Sequence, residues 1–92
     1  MMREPLMLSG KLDVTAAATF HAELAARIGQ DIVLDCEKVT QIGALCLQSC
    51  LAAAREARKN KTRFDIINVT DPVLVQLTSM GFTPETLAEG TV

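Results

Sequence analysis

The chain of 92 residues is long enough for one small domain, which we predict to span residues 1–92, because a single hydrophobic core typically serves about 50 to 200 residues. Its composition, 49% apolar and 22% charged, excludes a disordered protein, and its net charge of -2 without a basic cluster argues against nucleic-acid binding. No apolar run reaches the roughly 18 residues that span a membrane, and the N-terminus lacks the apolar core of a signal peptide, so we predict a cytoplasmic protein.

The first predicted elements are a short strand and a helix. Residues 5–12 alternate loosely between apolar and polar and predict an edge strand that Gly10 bends. Asp13 or Thr15 is expected to cap the helix that follows, and Gly29 to end it. The apolar stripe of this helix, at spacings of three and four, consists of Ala17, Phe20, Leu24 and Ile28.

A buried strand and a long helix are predicted next. The apolar run at residues 31–36 is typical of a central strand that is covered on both faces. The polar link Glu37-Lys38 separates it from residues 39–48, where we predict a strand-to-helix junction with Gly43 as its tight turn. The helix is expected from about Ala44 to Asn60, and the basic residues near its end complement the negative end of its dipole.

The last third of the chain predicts a strand at residues 63–69 and another helix. Asp71 is expected to cap this helix, with Pro72 at its first position and Gly81 as its left-handed end. The inner face of the helix is formed by Val73, Leu77 and Met80. One further helical turn is expected around residues 85–88.

Two apolar residues of this helix, Leu74 and Val75, lie off its inner stripe. Exposed, they would form an apolar contact surface; buried, they would mark a deeply packed helix, and the sequence leaves both alternatives open. The alternation of strands and helices implies βαβ crossovers. We therefore predict an α/β or α+β fold with a mixed, mostly parallel sheet of about four strands and helices packed on it.

No constellation of residues predicts an enzyme, a metal site or a cofactor. The three cysteines are an odd number and are expected to be buried thiols, and Cys46, although near a helix start that would favour a thiolate, has no base nearby in sequence. His21 is expected to be a solvated residue without a catalytic partner. Asp13 and Asp35 stand where caps and strand ends commonly carry aspartate, and the glycines are too scattered for a phosphate-binding loop.

The order of several short motifs resembles the STAS domain, the fold of bacterial anti-sigma factor antagonists. These motifs are Gly10-Lys11-Leu12-Asp13, Ile32-Val33-Leu34-Asp35, the junction at residues 40–47, Asn68-Val69-Thr70-Asp71-Pro72-Val73 and Met80-Gly81-Phe82. Together they cover roughly residues 6–83. The resemblance implies a non-enzymatic module that binds a protein partner.

Members of that family typically carry an Asp-Ser-Ser/Thr-Gly motif at the junction, and its first hydroxyl residue is phosphorylated by a partner kinase. The corresponding positions here are residues 43–46, with Ala44 at the phosphoserine position. Because Ala44 has no oxygen to accept phosphate, the resemblance does not extend to the phospho-switch. We expect the partner-binding surface at Asp13, Thr40, Gly43, Ala44, Leu45 and Gln48.

The run at residues 42–48 is also similar to small stand-alone STAS proteins of alphaproteobacterial chemotaxis operons. This similarity implies that the partner is a chemotaxis histidine kinase or a response regulator. An anti-sigma factor antagonist and a STAS subunit of a lipid-transport ATPase remain as alternatives. The short N-terminus departs from the full first hairpin of many STAS domains, and it leaves a sheet edge that is expected to serve dimerisation or partner binding.

Overall fold

A computed structural model describes residues 5–90 of the chain. Strands and helices alternate through most of it, as predicted, and the chain ends in two consecutive helices. In chain order the elements are β1 (Leu6–Leu12), α1 (Ala17–Ala25), β2 (Ile32–Ile42), α2 (Ala44–Asn60), β3 (Phe64–Ile67), α3 (Asp71–Ser79) and α4 (Pro84–Glu89).

The sheet has the strand order β1-β2-β3, with both described pairs parallel. The predicted α/β class and the central position of β2 are confirmed. The predicted number of about four strands is one too high for the described residues, and no antiparallel strand makes this part of the sheet mixed. Because all three strands run the same way, their carboxyl ends lie at one edge of the sheet.

The central strand is longer than predicted because two bulges carry it through its polar residues. Between the pairs Met7↔Asp35 and Ser9↔Lys38, and again between Gly10↔Val39 and Lys11↔Gln41, β2 advances by one residue more than β1 does. Each extra residue shifts the inward–outward alternation of β2, so Glu37 and Lys38 are both exposed within the strand. The predicted polar link is therefore part of β2.

The helices pack on one face of the sheet. Leu34 and Ile66 are paired across β2 and β3, and both line a small enclosed cavity beneath α2, α3 and α4. The next row of the sheet, Met7, Asp35 and Ile67, points to the opposite face because neighbouring rows alternate. Met7 is 50% exposed and Val33 is half-buried, so the prediction that the central strand is covered on both faces is only partly met.

The helix ends differ from several predicted caps. Ala16 is the N-cap of α1, and its methyl side chain has no acceptor for a cap bond. The Asp13 carboxylate instead accepts hydrogen bonds from Thr15 upstream of the helix. α1 also ends before Ile28, which is 39% exposed. Thr70, not Asp71, is the N-cap of α3, and it has no side-chain cap bond either.

Other predicted features of the helices are confirmed. α2 runs over the residues expected for it, and Gly81 has a φ of 85°, the left-handed conformation predicted for the end of α3. Leu74 and Val75 are 40% and 67% exposed, which decides between the two alternatives in favour of an exposed apolar surface. α4 realises the predicted last turn, and a capping box between Thr83 and Thr86 starts it.

Candidate functional site

The junction between β2 and α2 is tied to the end of the neighbouring strand. The Gly43 N–H donates a hydrogen bond to the Leu12 carbonyl oxygen at 2.9 Å. This bond continues the pairing of Leu12 with Ile42 beyond the last pair of the ladder. It therefore places Asp13, which follows β1, beside the first turn of α2.

Gly43 is the N-cap of α2 and is not a tight turn of the kind predicted. Its φ of -106° and ψ of 171° are extended backbone that any residue adopts. A Cβ at this position would lie 3.4 Å from the Leu12 carbonyl oxygen, an ordinary van der Waals contact, so neither the backbone conformation nor the space requires a glycine. The prediction located the junction correctly but gave the wrong physical reason for Gly43.

The first turn of α2 carries neither a side-chain cap nor an acidic residue. The first helical hydrogen bond runs from the Leu47 N–H to the Gly43 carbonyl oxygen at 3.1 Å. The N–H groups of Ala44, Leu45 and Cys46 precede that bond and have no helical acceptor. This edge of the molecule therefore presents free donors beside apolar side chains.

The structure brings most of the predicted partner-binding residues to one place. Asp13 and Gly43 are half-buried at the junction, while Ala44 and Leu45 are exposed, Leu45 by 50%. Exposed Gln48 lies one helical turn further along α2. Thr40 is exposed too, but it is the extra residue of the second bulge of β2 and lies on the sheet before the junction.

Asp13 contributes a fixed negative charge to this edge. Its Oδ1 accepts hydrogen bonds from the Thr15 hydroxyl at 2.6 Å and from the Thr15 N–H at 3.0 Å. The hydroxyl bond is the main cause that lowers the pKa of the Asp13 carboxyl below its ordinary value. The same bonds hold the side chain in one orientation.

The cysteines are buried thiols, as predicted, and Cys46 is not activated by its place near a helix start. Burial raises the pKa of Cys46, and the Asp13 charge raises it further. Burial likewise raises the pKa of Cys36 to about 11 and raises that of Cys50. Burial and the Asp13 charge both favour the neutral thiol of Cys46, so the hypothesis of a reactive thiolate there is not supported.

A groove between α1 and α2 was not anticipated from the sequence. His21 of α1 and Ser49 of α2 meet in it, with 3.2 Å between the His21 Nδ1 and the Ser49 Oγ. The Ser49 hydroxyl also donates to the Leu45 carbonyl oxygen at 3.3 Å. Because 28 residues separate His21 from Ser49, no local motif announces the pair, although the sequence prediction of a solvated His21 is correct in that the residue is exposed.

A second unpredicted contact fixes the end of β2. The Gln76 Oε1 accepts a hydrogen bond from the Ile42 N–H at 2.6 Å, and the Thr70 hydroxyl donates to the Val39 carbonyl oxygen at 3.4 Å. These contacts anchor α3 to the last residues of the central strand. The junction therefore starts from a strand end that is held on two sides, by Leu12 and by α3.

The comparison with protein families agrees with this geometry. A family model described as "Mlab, STAS domain" matches residues 3–87. The chain belongs to the STAS domain family. STAS domains are generally non-catalytic modules that commonly mediate protein–protein interactions, and their fold is that of the anti-sigma factor antagonists. No curated protein matches the chain.

Two further observations describe this STAS domain. Within residues 5–90, no group of three or more His, Cys, Asp or Glu side chains is placed to hold a metal ion. In the same part of the chain, no helix is both long enough and apolar enough to cross a membrane.

Proposed function

We propose that this STAS domain is a non-enzymatic cytoplasmic signalling module that docks on a chemotaxis histidine kinase or a response regulator and modulates phosphotransfer. The observation that carries the proposal is the exposed apolar start of α2, at Ala44 and Leu45, in a family whose members commonly mediate protein–protein interactions. The choice of a chemotaxis partner rests on the similarity of residues 42–48 to the chemotaxis STAS proteins.

The rigidity of the junction favours recognition of a protein surface. The Gly43–Leu12 hydrogen bond and the Gln76–Ile42 hydrogen bond fix the start of α2 against two neighbouring elements. A backbone that is already fixed loses little further conformational freedom when a partner covers it. Leu45 supplies apolar contact area, while Asp13 and Gln48 supply polar contacts at its rim.

No residue from 43 to 46 carries a hydroxyl group, so we propose that this surface is always available for docking and is not switched by phosphorylation. A phosphate at position 44 would add up to about two negative charges beside the free N–H groups of the first turn. Ala44 cannot accept it, so a serine kinase acting at the family position has no effect on docking. Modulation of phosphotransfer then depends on the amount of the protein or on the state of its partner.

The test is binding to purified fragments of the chemotaxis kinase and to its response regulators, measured by titration calorimetry. Ala44→Glu places a carboxylate in the first turn of α2, where the helix dipole favours it, so the fold is retained while the apolar surface is lost. We expect at least about a tenfold loss of affinity, roughly 1.4 kcal/mol. The control is Ala25→Glu, which adds the same charge at an exposed position, the last residue of α1.

Normal binding by the Ala44→Glu variant would remove the junction from the interface. The two alternatives have their own readouts. An added phosphate in intact-mass analysis after treatment with a serine kinase would support an anti-sigma factor antagonist. Co-purification with an ATPase subunit, in place of any kinase fragment, would support the lipid-transport role.

A further inference from the structure

The groove between α1 and α2 opens beside the junction and has a volume of about 390 Å³. Its walls are largely methyl groups, because Ala17 and Ala18 face Ala52 across it. Helices pack with their axes about 8–10 Å apart, and the side chains at the contact set the distance. Alanine walls therefore allow a third helix to approach α1 and α2 closely.

The described residues that form the polar part of the groove include no acidic side chain. Among the described residues that line it, His21 is the only one with an ionisable side chain. An imidazole is either neutral or positive, and Ser49 and Gln48 add only neutral polar groups. A carboxylate on an occupant therefore meets no like charge in this lining and is complementary to the imidazolium form of His21.

The geometry of the His21–Ser49 pair leaves one ring nitrogen available. Nδ1 faces the Ser49 hydroxyl, and within the described residues Nε2 has no hydrogen-bond partner. Since the Ser49 hydroxyl gives its proton to the Leu45 carbonyl oxygen, the Nδ1–H of His21 donates to the Ser49 Oγ, and Nε2 donates to an acceptor from outside when the ring is an imidazolium. A glutamate or aspartate side chain on a docked helix provides that acceptor.

The groove is continuous with the surface proposed for docking. Leu45 and Gln48 belong to both, since they line the groove and lie on the first two turns of α2. An element that covers Leu45 at the junction and continues along α2 passes over Ala52. The direction of the groove thus extends the contact from the start of α2 along its outer face.

We propose that the partner docks by an amphipathic helix with acidic residues, which seats its apolar stripe between α1 and α2 and its carboxylate against His21. This inference rests on the proposed function for the existence of a protein partner, but it does not depend on the partner being a chemotaxis kinase. It assigns the recognition to the helix-in-groove mode, with anchors at i, i+3, i+4 and i+7 on the partner.

The experiment is a selection of helical peptides from a display library, with the full chain as bait and an Ala52→Arg variant for counter-selection. Ala52 is exposed, so the arginine fills the groove without entering the core. We expect enriched peptides to carry Leu or Ile at helical spacing with flanking Glu or Asp. Enrichment of basic or extended sequences, or the lack of any enrichment that depends on Ala52, would overturn the proposal.

Binding of an enriched peptide to His21 variants then tests the charge preference. His21→Glu is expected to weaken binding at least about tenfold, while His21→Lys retains it. Ala25→Arg, which adds the same charge to α1 outside the groove lining, serves as the control for Ala52→Arg. Equal affinity of the His21→Glu and His21→Lys variants would contradict the inference, and circular dichroism with thermal melts verifies that every variant is folded.

The two proposals fail in different ways. If kinase fragments bind and Ala44→Glu abolishes that binding while Ala52→Arg and His21→Glu leave it intact, the groove is not the docking site although the proposed function stands. If acidic helical peptides bind but no kinase fragment does, the inference stands and the proposed partner is wrong. Self-association in sedimentation velocity that Ala52→Arg abolishes would assign the groove to a second copy and overturn the inference.

Discussion

At the C-terminal end of α2 the backbone is capped, and side chains of the helix bind α4. Lys61 adopts a left-handed conformation with a φ of 58°, and the Thr62 N–H donates to the Ala57 carbonyl oxygen at 2.9 Å. Before this cap, in the last two turns of the helix, Arg55 and Arg58 donate to the carbonyl oxygens of Gly90 and Glu89, at 3.2 and 2.9 Å. The carbonyls at the end of α4 are thus satisfied by cations, which also complement its dipole.

The N-terminal end of α2 has no comparable cap and no such contacts with charged side chains. Gly43 offers no side chain to cap the helix, the first turn carries no acid, and Ala44 and Leu45 are exposed. The contrast separates two roles along one helix: the C-terminal end consolidates the fold, and the N-terminal end remains available to a partner. Substitutions at the two ends should therefore differ in whether they change stability or binding.

The largest effect on stability is expected where α4 packs into the core, near the C-terminal end of α2. Leu87 is 1% exposed, so Leu87→Ala removes buried methyl groups and leaves a cavity. Such changes typically cost about 2–5 kcal/mol. We expect a loss of about 3 kcal/mol in the free energy of unfolding, measured by urea denaturation.

Leu74→Ala is the matched control, because Leu74 is 40% exposed on α3. Its loss should stay below about 1 kcal/mol, since little buried area is removed. Equal losses in the two variants would show that α4 is not part of the cooperative core. The C-terminal end of α2, which binds α4, would then not have the stabilising role described above.

A pair of glycine substitutions gives an intermediate effect and compares the two ends directly. Gly90 has a φ of 69°, and an added Cβ would lie 2.9 Å from the Arg55 Cγ. The left-handed conformation costs an alanine about 1–2 kcal/mol before that contact is relieved, so Gly90→Ala should lose about 2 kcal/mol. Gly43→Ala keeps an allowed φ and meets a carbonyl oxygen at 3.4 Å, so its loss should be smaller, under about 1 kcal/mol.

Denaturation of both variants under the same conditions gives the comparison. A Gly43→Ala variant less stable than Gly90→Ala would mean that the junction, and not the contact between α2 and α4, is the more tightly constrained of the two ends.

The sequence predicted the fold class well because its strongest signals are local. The apolar run of β2, the extent of α2 and the left-handed Gly81 each depend on residues close in the chain. The bulges of β2 were missed because the pair Glu37 and Lys38 has the composition of a link, while its conformation depends on pairing with β1. The cap at Asp71 was misplaced by one residue for a similar reason, since Thr70 is fixed by its contact with Val39.

The candidate site was predictable only in part. The position of the junction followed from the helix pattern, and the choice of Ala44, Leu45 and Gln48 as surface residues followed from the family resemblance. The groove did not, because its lining comes from two helices whose packing no local pattern encodes. The exposed alanines of α1 and α2 were the one available signal, and they are also simply good helix formers.

The smallest predicted effect concerns Cys36 of β2, a buried thiol that lines the same core cavity as Cys50 of α2. Burial raises the pKa of Cys36 to about 11 from an ordinary value of 9.0. Since the folded pKa is the higher one, the contribution of Cys36 is fully present below about pH 9 and is lost as the pH rises towards 11. By pH 10 the free energy of unfolding of the wild-type protein should have fallen by about 1 kcal/mol through this residue, and Cys36→Ala should show a shallower decline between pH 9 and 11 in urea denaturation.

Parallel declines in the two proteins would mean that Cys36 ionises as readily in the folded chain as in the unfolded one. Water would then reach the core between β2 and α2 at Cys36 and Cys50, and the contrast between the packed inner face of α2 and its exposed N-terminal surface would fail.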